Sequence, residues 1–287
     1  MNDHAPNGSG PVAVARLDAG AGEEWDAYVR SAPGATFFHL AGWREIVEDV
    51  CGHRAHYLVA RRGGCIVGVL PLARQRSLLF GNALISTPFC VYGGAVADDA
   101  AARNALLDAA EDLARDLHVD YLELRNLAPV DRDWPTKQLY VTFRKPITGD
   151  AEKDMNAIPR KQRAMVRKGI EAKLEAGVDE DVGRFFEAYS ESVRNLGTPV
   201  LGKSYFAALR RVFGPSCEVL TVTQGAGLVA SVMSFYFRDE VLPYYGGGTA
   251  AARACKGNDF MYWELMRRAG GRAIWRSEER RVGKECR

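Results

Sequence analysis

Several familiar signatures are missing from this 287-residue chain, and each absence removes a class of function. No apolar run approaches the roughly 20 residues needed to span a bilayer. The polar N-terminus, MNDHAPNGSGP, lacks the hydrophobic region of a secretion signal, which predicts a cytoplasmic chain. Cysteine is sparse. Cys51, Cys65, Cys90, Cys217, Cys255 and Cys286 are scattered without a CxxC pair, so neither zinc ligation nor a disulfide framework is expected. Histidine is rarer still: His4, His39, His53, His56 and His118 all lie in the first half. No Ser-His-Asp or Cys-His spacing stands out, which argues against a covalent nucleophile. Excess charge of one sign is lacking too. Five of the 38 basic and three of the 36 acidic residues fall in 276–287, so residues 1–275 balance at 33 against 33. Global charge therefore gives no reason to expect DNA as a partner.

What is present is a pattern written twice. Thr36 to Gly52 reads TFFHLAGWREIVEDVCG, and Thr198 to Gly214 reads TPVLGKSYFAALRRVFG. At an offset of 162, Thr36 meets Thr198, Trp43 meets Tyr205 and Gly52 meets Gly214. The register continues through Leu58 on Leu220 and Val67 on Val229. The offset then drops to 153, setting Tyr92-Gly93-Gly94 on Tyr245-Gly246-Gly247. A long period with one loop-length change predicts two related subdomains, not a solenoid.

Within each half, helical and strand periodicities are mixed. Helices are predicted over 23–30, 40–50, 100–117, 158–175, 180–194, 203–213 and 258–269. Strands are predicted at 56–61 and 65–72, joined around Arg62-Gly63-Gly64, and at 84–96, 121–125, 139–143, 217–223, 228–238 and 241–249. The expected fold is α/β with a mixed sheet covered by helices. Residues 1–19 form a disordered N-terminus with a first strand, 20–150 the first subdomain with a linker near its end at 147–156, and 151–275 the second. Arg276 to Arg287 resembles the translation of a sequencing adapter, and the apolar strand pattern at Ile274 and Trp275 stops where it begins. The second subdomain is accordingly expected to be incomplete.

One helix concentrates the charge. On a helical wheel, Arg160, Lys161, Arg163, Arg167 and Lys168 share an arc of roughly 160°, with Met165, Val166 and Ile170 on the other side. Pro159 suits the first turn, where its missing N–H leaves nothing unpaired. Such a face suits phosphate or pyrophosphate, Arg offering a planar fork and Lys a point charge. A solvated amphipathic helix is the plainer reading of the same residues. Tyr244 and Tyr245 end an apolar strand before three glycines, where a tyrosine hydroxyl could serve as general acid and the backbone could approach a ligand. Arg194 and Asn195 precede Gly197 and Pro199 and could line an acceptor cleft. Glu218, Asp239 and Glu240 are candidate bases with nothing to choose among them. Asn258 or Asp259 could cap the following helix.

The segment IPRKQRAMVRKGIE resembles the basic helix of FemAB-type transferases. Ser192 to Pro199, Pro243 to Thr249 and Asn258 to Arg268 are similar to the FemAB-like proteins associated with exosortase (PEP-CTERM) systems. The likeness covers most of residues 20–275. It implies two GNAT-type acyltransferase subdomains in tandem and acyl or aminoacyl transfer to an amine of a cell-envelope or exopolysaccharide precursor, at the inner face of the membrane. In FemAB enzymes the donor is an aminoacyl-tRNA and the acceptor a UDP-linked precursor, so tRNA and nucleotide-linked partners are implied. GNAT enzymes that use coenzyme A carry an Arg/Gln-x-x-Gly-x-Gly/Ala loop. Arg253-Ala-Cys-Lys-Gly-Asn258 keeps a cation, a glycine and a helix start but departs in spacing, which leaves acyl-CoA and aminoacyl-tRNA both open as donor. The family also carries an Asp-Phe-Gly-Arg-type segment after this helix. The adapter-like tail stands in its place, so a truncated, inactive chain is one expectation. A second is a binding module without catalysis, holding tRNA or anionic lipid on the helix over 158–173.

Overall fold

A computed structural model describes residues 10–77, 81–137, 141–270 and 273–278. The expected N-terminal disorder falls largely on residues 1–9, and most of the charged tail on 279–287, both outside the described residues. The chain divides into two compact units, Met1–Asp133 and Trp134–Arg287.

The first unit runs β1 (Ala13–Arg16), α1 (Gly22–Ser31), a 3₁₀ turn at Phe37–His39, α2 (Gly42–Glu45) extended by a π turn at Ile46–Val50, β2 (Arg54–Arg62), β3 (Cys65–Ser77), β4 (Gly81–Ser86), β5 (Val96–Ala97), α3 (Ala100–Asp116) and β6 (Tyr121–Glu123). The sheet order is β1-β2-β3-β4-β6, with β5 on β3. Among the described residues only the β4–β6 pairing of this sheet is parallel. Alternation decides the two faces. Leu58, Ala60, Leu70 and Leu72 pack with Leu106, Ala110 and Leu113 of α3, whereas Tyr57 stacks with Trp25 of α1 at 5.0 Å. Asp99 caps α3 by accepting from the Ala102 N–H.

The second unit runs β7 (Val141–Pro146), α4 (Ala151–Asn156), α5 (Arg160–Glu171), β8 (Glu175–Asp179), α6 (Gly183–Asn195), α7 (Lys203–Phe213), β9 (Cys217–Gln224), β10 (Gly227–Phe237), β11 (Glu240–Gly248), α8 (Ala250–Cys255), α9 (Gly257–Arg268) and β12 (Ala273–Glu278). The sheet order is β7-β12-β11-β10-β9-β8, and β11–β12 is its parallel pair. Leu220, Val222, Val229, Ala230 and Val232 form a core with Phe260, Met261 and Leu265 of α9.

Three expectations change. The strand expected to close the first half, β7, pairs with β12 in the second sheet. The expected linker over 147–156 contains α4, because buried Asp154 accepts hydrogen bonds from the Thr148 and Gly149 N–H groups and the Thr148 hydroxyl. The long helix over 158–175 stops at Glu171, and β8 follows as a polar edge strand with little burial to mark its period.

The two sheets share a topology, and the offset of 162 carries β1, α1, β2 and β3 onto β8, α6, β9 and β10. A finer feature repeats as well. Val67 in β3 and Val229 in β10 each stand unpaired in a β-bulge against the preceding strand, one offset apart. The units then diverge. Val69 pairs with Val96 and Leu72 with Ser86, as Ser231 pairs with Gly247 and Ser234 with Pro243. β4 and β5 together therefore occupy the place of β11. Residues 87–95 stand where the second unit has only 244–246. The match of Tyr92-Gly93-Gly94 to Tyr245-Gly246-Gly247 is thus incorrect: the first triplet lies in an inserted excursion, the second inside a strand.

Candidate functional site

In the second unit the interest centres on β11. Met233 pairs with Tyr245 and Ser234 with Pro243, so Tyr244 is an extra residue that bulges the strand. On its other side, among the described residues, β11 pairs with β12 only at Glu240 and Val241. The parallel ladder ends there, while β11 continues to Gly248. A bulged strand whose partner ladder stops short offers backbone amides to a ligand that inserts alongside it.

The corresponding seam in the first unit is filled by its own chain. The Gly93 and Gly94 N–H groups donate to the Arg125 carbonyl at 3.2 and 3.1 Å. The Arg125 N–H donates to Ser86 Oγ and its guanidinium to the Cys90 carbonyl. Thr87 Oγ1 donates to the Phe38 carbonyl at 3.1 Å. Thr87 and Phe89 hold left-handed φ values of 34° and 68°, strain that the surrounding bonds maintain.

Helices close on β11 from both faces. Gly247 faces α6 so tightly that a Cβ there would stand 2.7 Å from Tyr189 Cα and 2.8 Å from the Ala188 carbonyl. Gly257, at the start of α9, would collide through a Cβ with Val229 Cγ1. These glycines admit helices, where the sequence suggested room for a ligand. Gly246 lies on the α9 side, beside the Tyr262 hydroxyl. Gly248 faces Asn258, whose Oδ1 would be 2.7 Å from a Cβ at that position.

Tyr245 is packed edge-on against Phe206 at 5.2 Å and Tyr189 at 5.8 Å, and its hydroxyl is 3.1 Å from the Tyr205 hydroxyl. Burial pushes the Tyr189 phenol up from its ordinary range. Tyr244 is perpendicular to Tyr245 at 4.7 Å and tilted on Phe235 at 5.6 Å. At the end of the strand, Glu191 of α6 accepts the Ala250 N–H at 2.7 Å and caps α8. Arg194 and Asn195 stand exposed at the C-terminus of that same α6.

On the opposite face, α9 begins without a side-chain cap, so the expected capping by Asn258 or Asp259 is not found. Its first N–H groups carry the positive end of the helix dipole. Lys256 precedes it in a left-handed conformation (φ 61°), and its ammonium donates to the Arg253 carbonyl. α5 packs onto this first turn at Gly169, where a Cβ would fall 2.7 Å from Phe260 Cβ, and Val166 of the same helix is buried. Close approach at Gly169 turns the helix, leaving Ile170 48% exposed where an apolar contact was expected. Arg160, Lys161, Arg167 and Lys168 are exposed, and Arg163 donates to Asn156 Oδ1. The basic arc thus belongs to the α9 side of the sheet, whereas Tyr245 and Arg194 belong to the α6 side.

None of the three candidate bases reaches this end of β11. Glu218 accepts from the Tyr236 hydroxyl, Glu240 pairs with Arg144, and Asp239 lies in the β10–β11 turn. Tyr205, Tyr262 and Glu191, which do, carry no local sequence signal. Among the described residues no three His, Cys, Asp or Glu side chains group as a metal site requires, and no helix is long and apolar enough to cross a membrane.

Residues 153–276 match the family model described as acetyltransferase (GNAT) domain. No curated protein matches the sequence. Among solved structures, FemX superposes with a TM-score of 0.70 at 15% identity, covering 95% of this chain and 90% of that one. A tandem GNAT protein from the clavulanic acid biosynthesis pathway gives 0.52 at 13%, covering 93% and 90%. L-PGS from Bacillus licheniformis gives 0.54 at 11%, covering 96% and 82%. The fold is a tandem of GNAT-type units, as the resemblance implied, and the repeat had predicted two related subdomains.

Proposed function

We propose that the second unit is the catalytic half of an acyltransferase that moves an acyl or aminoacyl group onto an amine. The observation that carries this reading is the bulge of β11 at Tyr244 with an uncapped α9 beside the strand. A GNAT-type domain over 153–276 supports it. The donor's phosphate groups rest on the start of α9 with Arg253, Lys256 and the cations of α5 around them. The donor's acyl carbonyl lies along β11, and an N–H near the bulge supports the oxyanion as the amine attacks. Glu191 takes the proton that the amine loses, and Tyr244 or Tyr245 protonates the departing thiolate or hydroxyl oxygen. Asn258 holds the donor near Gly248, while Arg194 and Asn195 meet the acceptor.

On the finer side, we read the chain as FemAB-like, acting on an envelope or exopolysaccharide precursor of an exosortase system, with an aminoacyl-tRNA or acyl-CoA donor. FemX is the structural likeness that favours aminoacyl transfer. Residues 276–287 we read as foreign to the protein, which genomic sequence beyond codon 275 would check directly. The test of activity is transfer by the intact gene product from acyl-CoA and aminoacyl-tRNA donors to amine acceptors, followed by mass spectrometry. Product that disappears in Glu191→Gln and Tyr244→Phe supports the reading. Absence of both transfer and donor binding would overturn it.

The exposed cations of α5 favour one alternative, a binding module without chemistry. A steep salt dependence of tRNA or anionic-vesicle binding, together with no transfer, would decide for it.

A further inference from the structure

The first unit holds a second cationic cluster, unrelated to the seam. His56 of β2 is 2% exposed, and neither ring nitrogen has a hydrogen-bond partner. Buried polar groups are rarely left so. The residues around it deepen the problem. Arg54 and Arg74 are directly paired across β2 and β3, and like charges in that position repel. Arg16 joins them at the end of β1, opposite Leu58 on the same face as His56. Among the described residues neither Arg16 nor Arg54 has a carboxylate partner. Arg74 is anchored by Asn82 Oδ1 at 2.9 Å and the Leu117 carbonyl at 3.1 Å. One carboxylate, Glu48, is also close, but it is engaged by Arg44 and the Ala55 N–H. Burial, then the three guanidinium groups, push the imidazole down to about 4.

The duplication supplies an internal control. One offset of 162 carries His56 to Glu218, Arg74 to Tyr236, Arg16 to Val178 and Arg54 to Ser216. There the Tyr236 hydroxyl donates to Glu218 at 3.1 Å, and Arg268 stands 3.9 Å from the same carboxylate. The second unit carries its own anion at this position and the first does not.

We infer that Arg16, Arg54, Arg74 and His56 form a binding site for a phosphate oxyanion. Such an anion supplies what the cluster lacks. It offers acceptor oxygens to the arginine forks and to an imidazole N–H, and it screens the Arg54–Arg74 repulsion. The site is independent of the transferase reading and stands or falls without it. The ligand is free phosphate or a phosphoryl group on a larger molecule.

The test follows the imidazole resonances of the full chain by nitrogen-15 NMR. The chain has only five histidines, and His56→Gln assigns the signal. Inorganic phosphate and glycerol phosphate are titrated separately, each against sodium chloride of equal ionic strength. Saturable movement of the His56 signal with a raised imidazole pKa is expected for one or both probes. A response to inorganic phosphate identifies the free ion as sufficient, and a response to glycerol phosphate alone identifies a carried phosphoryl group. Arg16→Gln with Arg54→Gln, both exposed positions, should weaken binding about tenfold or more, roughly 1.4 kcal/mol. A melt of unchanged midpoint checks that this variant folds. Movement no larger than with sodium chloride, or a folded double variant that binds as the parent does, would overturn the inference.

Discussion

Tyr205 of α7 and Tyr245 of β11 meet hydroxyl to hydroxyl at 3.1 Å, and the former is only 3% exposed. The bond ties the helical layer to the strand that carries the seam. Removing either hydroxyl deletes this hydrogen bond, and the net loss of such a bond costs about 0.5–1.5 kcal/mol. Tyr245→Phe alone and Tyr205→Phe alone should each lower the denaturant midpoint. The double variant should lose less than the sum of the two. Strict additivity in that cycle would show that the hydroxyls do not interact.

Gly247→Ala tests the close approach of α6. The new methyl would meet backbone atoms of Ala188 and Tyr189, which cannot turn aside as a flexible side chain can. We expect destabilisation of about 1–3 kcal/mol and displacement of α6. Chemical shifts of Ala188 and Tyr189 that stay in place would argue against this packing.

Replacing Arg163 and Arg167 with Ala should weaken donor binding at least about tenfold, roughly 1.4 kcal/mol. Stability should barely move, because Arg167 is exposed and the Arg163 bond to Asn156 is a surface contact. An unaltered dissociation constant would remove α5 from the donor site.

His56 links stability to pH. Its folded-state imidazole is pushed down to about 4, below its ordinary value of 6.5, so the unfolded chain binds a proton that the folded chain refuses. The contribution is complete above pH 6.5 and is lost as the pH falls through 4. In phosphate-free buffer, urea midpoints at pH 7 and pH 4.5 should differ less for His56→Gln than for the parent. Equal differences would count against a protonation penalty at this site.

In the first unit, Arg125 joins the inserted segment to the strand beyond it. Arg125→Ala removes the guanidinium bonds to the Cys90 carbonyl and to Glu123. Hydrogen exchange at the Gly93 and Gly94 amides should accelerate, while β2 and β3 keep their protection. Uniform acceleration throughout the unit would show that the segment does not open by itself.

The repeat at 162 was legible because α1, α2, β2 and β3 kept their spacing along the chain, so apolar positions stayed in phase with α6, α7, β9 and β10. Beyond β3 the phase was lost through residues 87–95. A shared Tyr-Gly-Gly triplet then suggested a false equivalence that only strand register could correct. β8 was hidden because an edge strand such as Glu175–Asp179 needs no apolar alternation. The basic arc of α5 could be read from its spacing, but the turn imposed at Gly169 by Phe260 could not. Glu191, Tyr205 and Tyr262 were invisible for the same reason. Their relevance comes from contacts made by chain that is distant in sequence.

The matched bulges at Val67 and Val229 imply an ancestor that already possessed the irregularity before it was copied. One descendant now carries nine residues across its opening where the other has three, with Arg125 as the clasp. Deleting that segment and joining Ser86 to Val96 through a short glycine spacer should uncover a vestigial groove. The duplicate would then serve as a dormant scaffold into which a second transfer chemistry could be engineered.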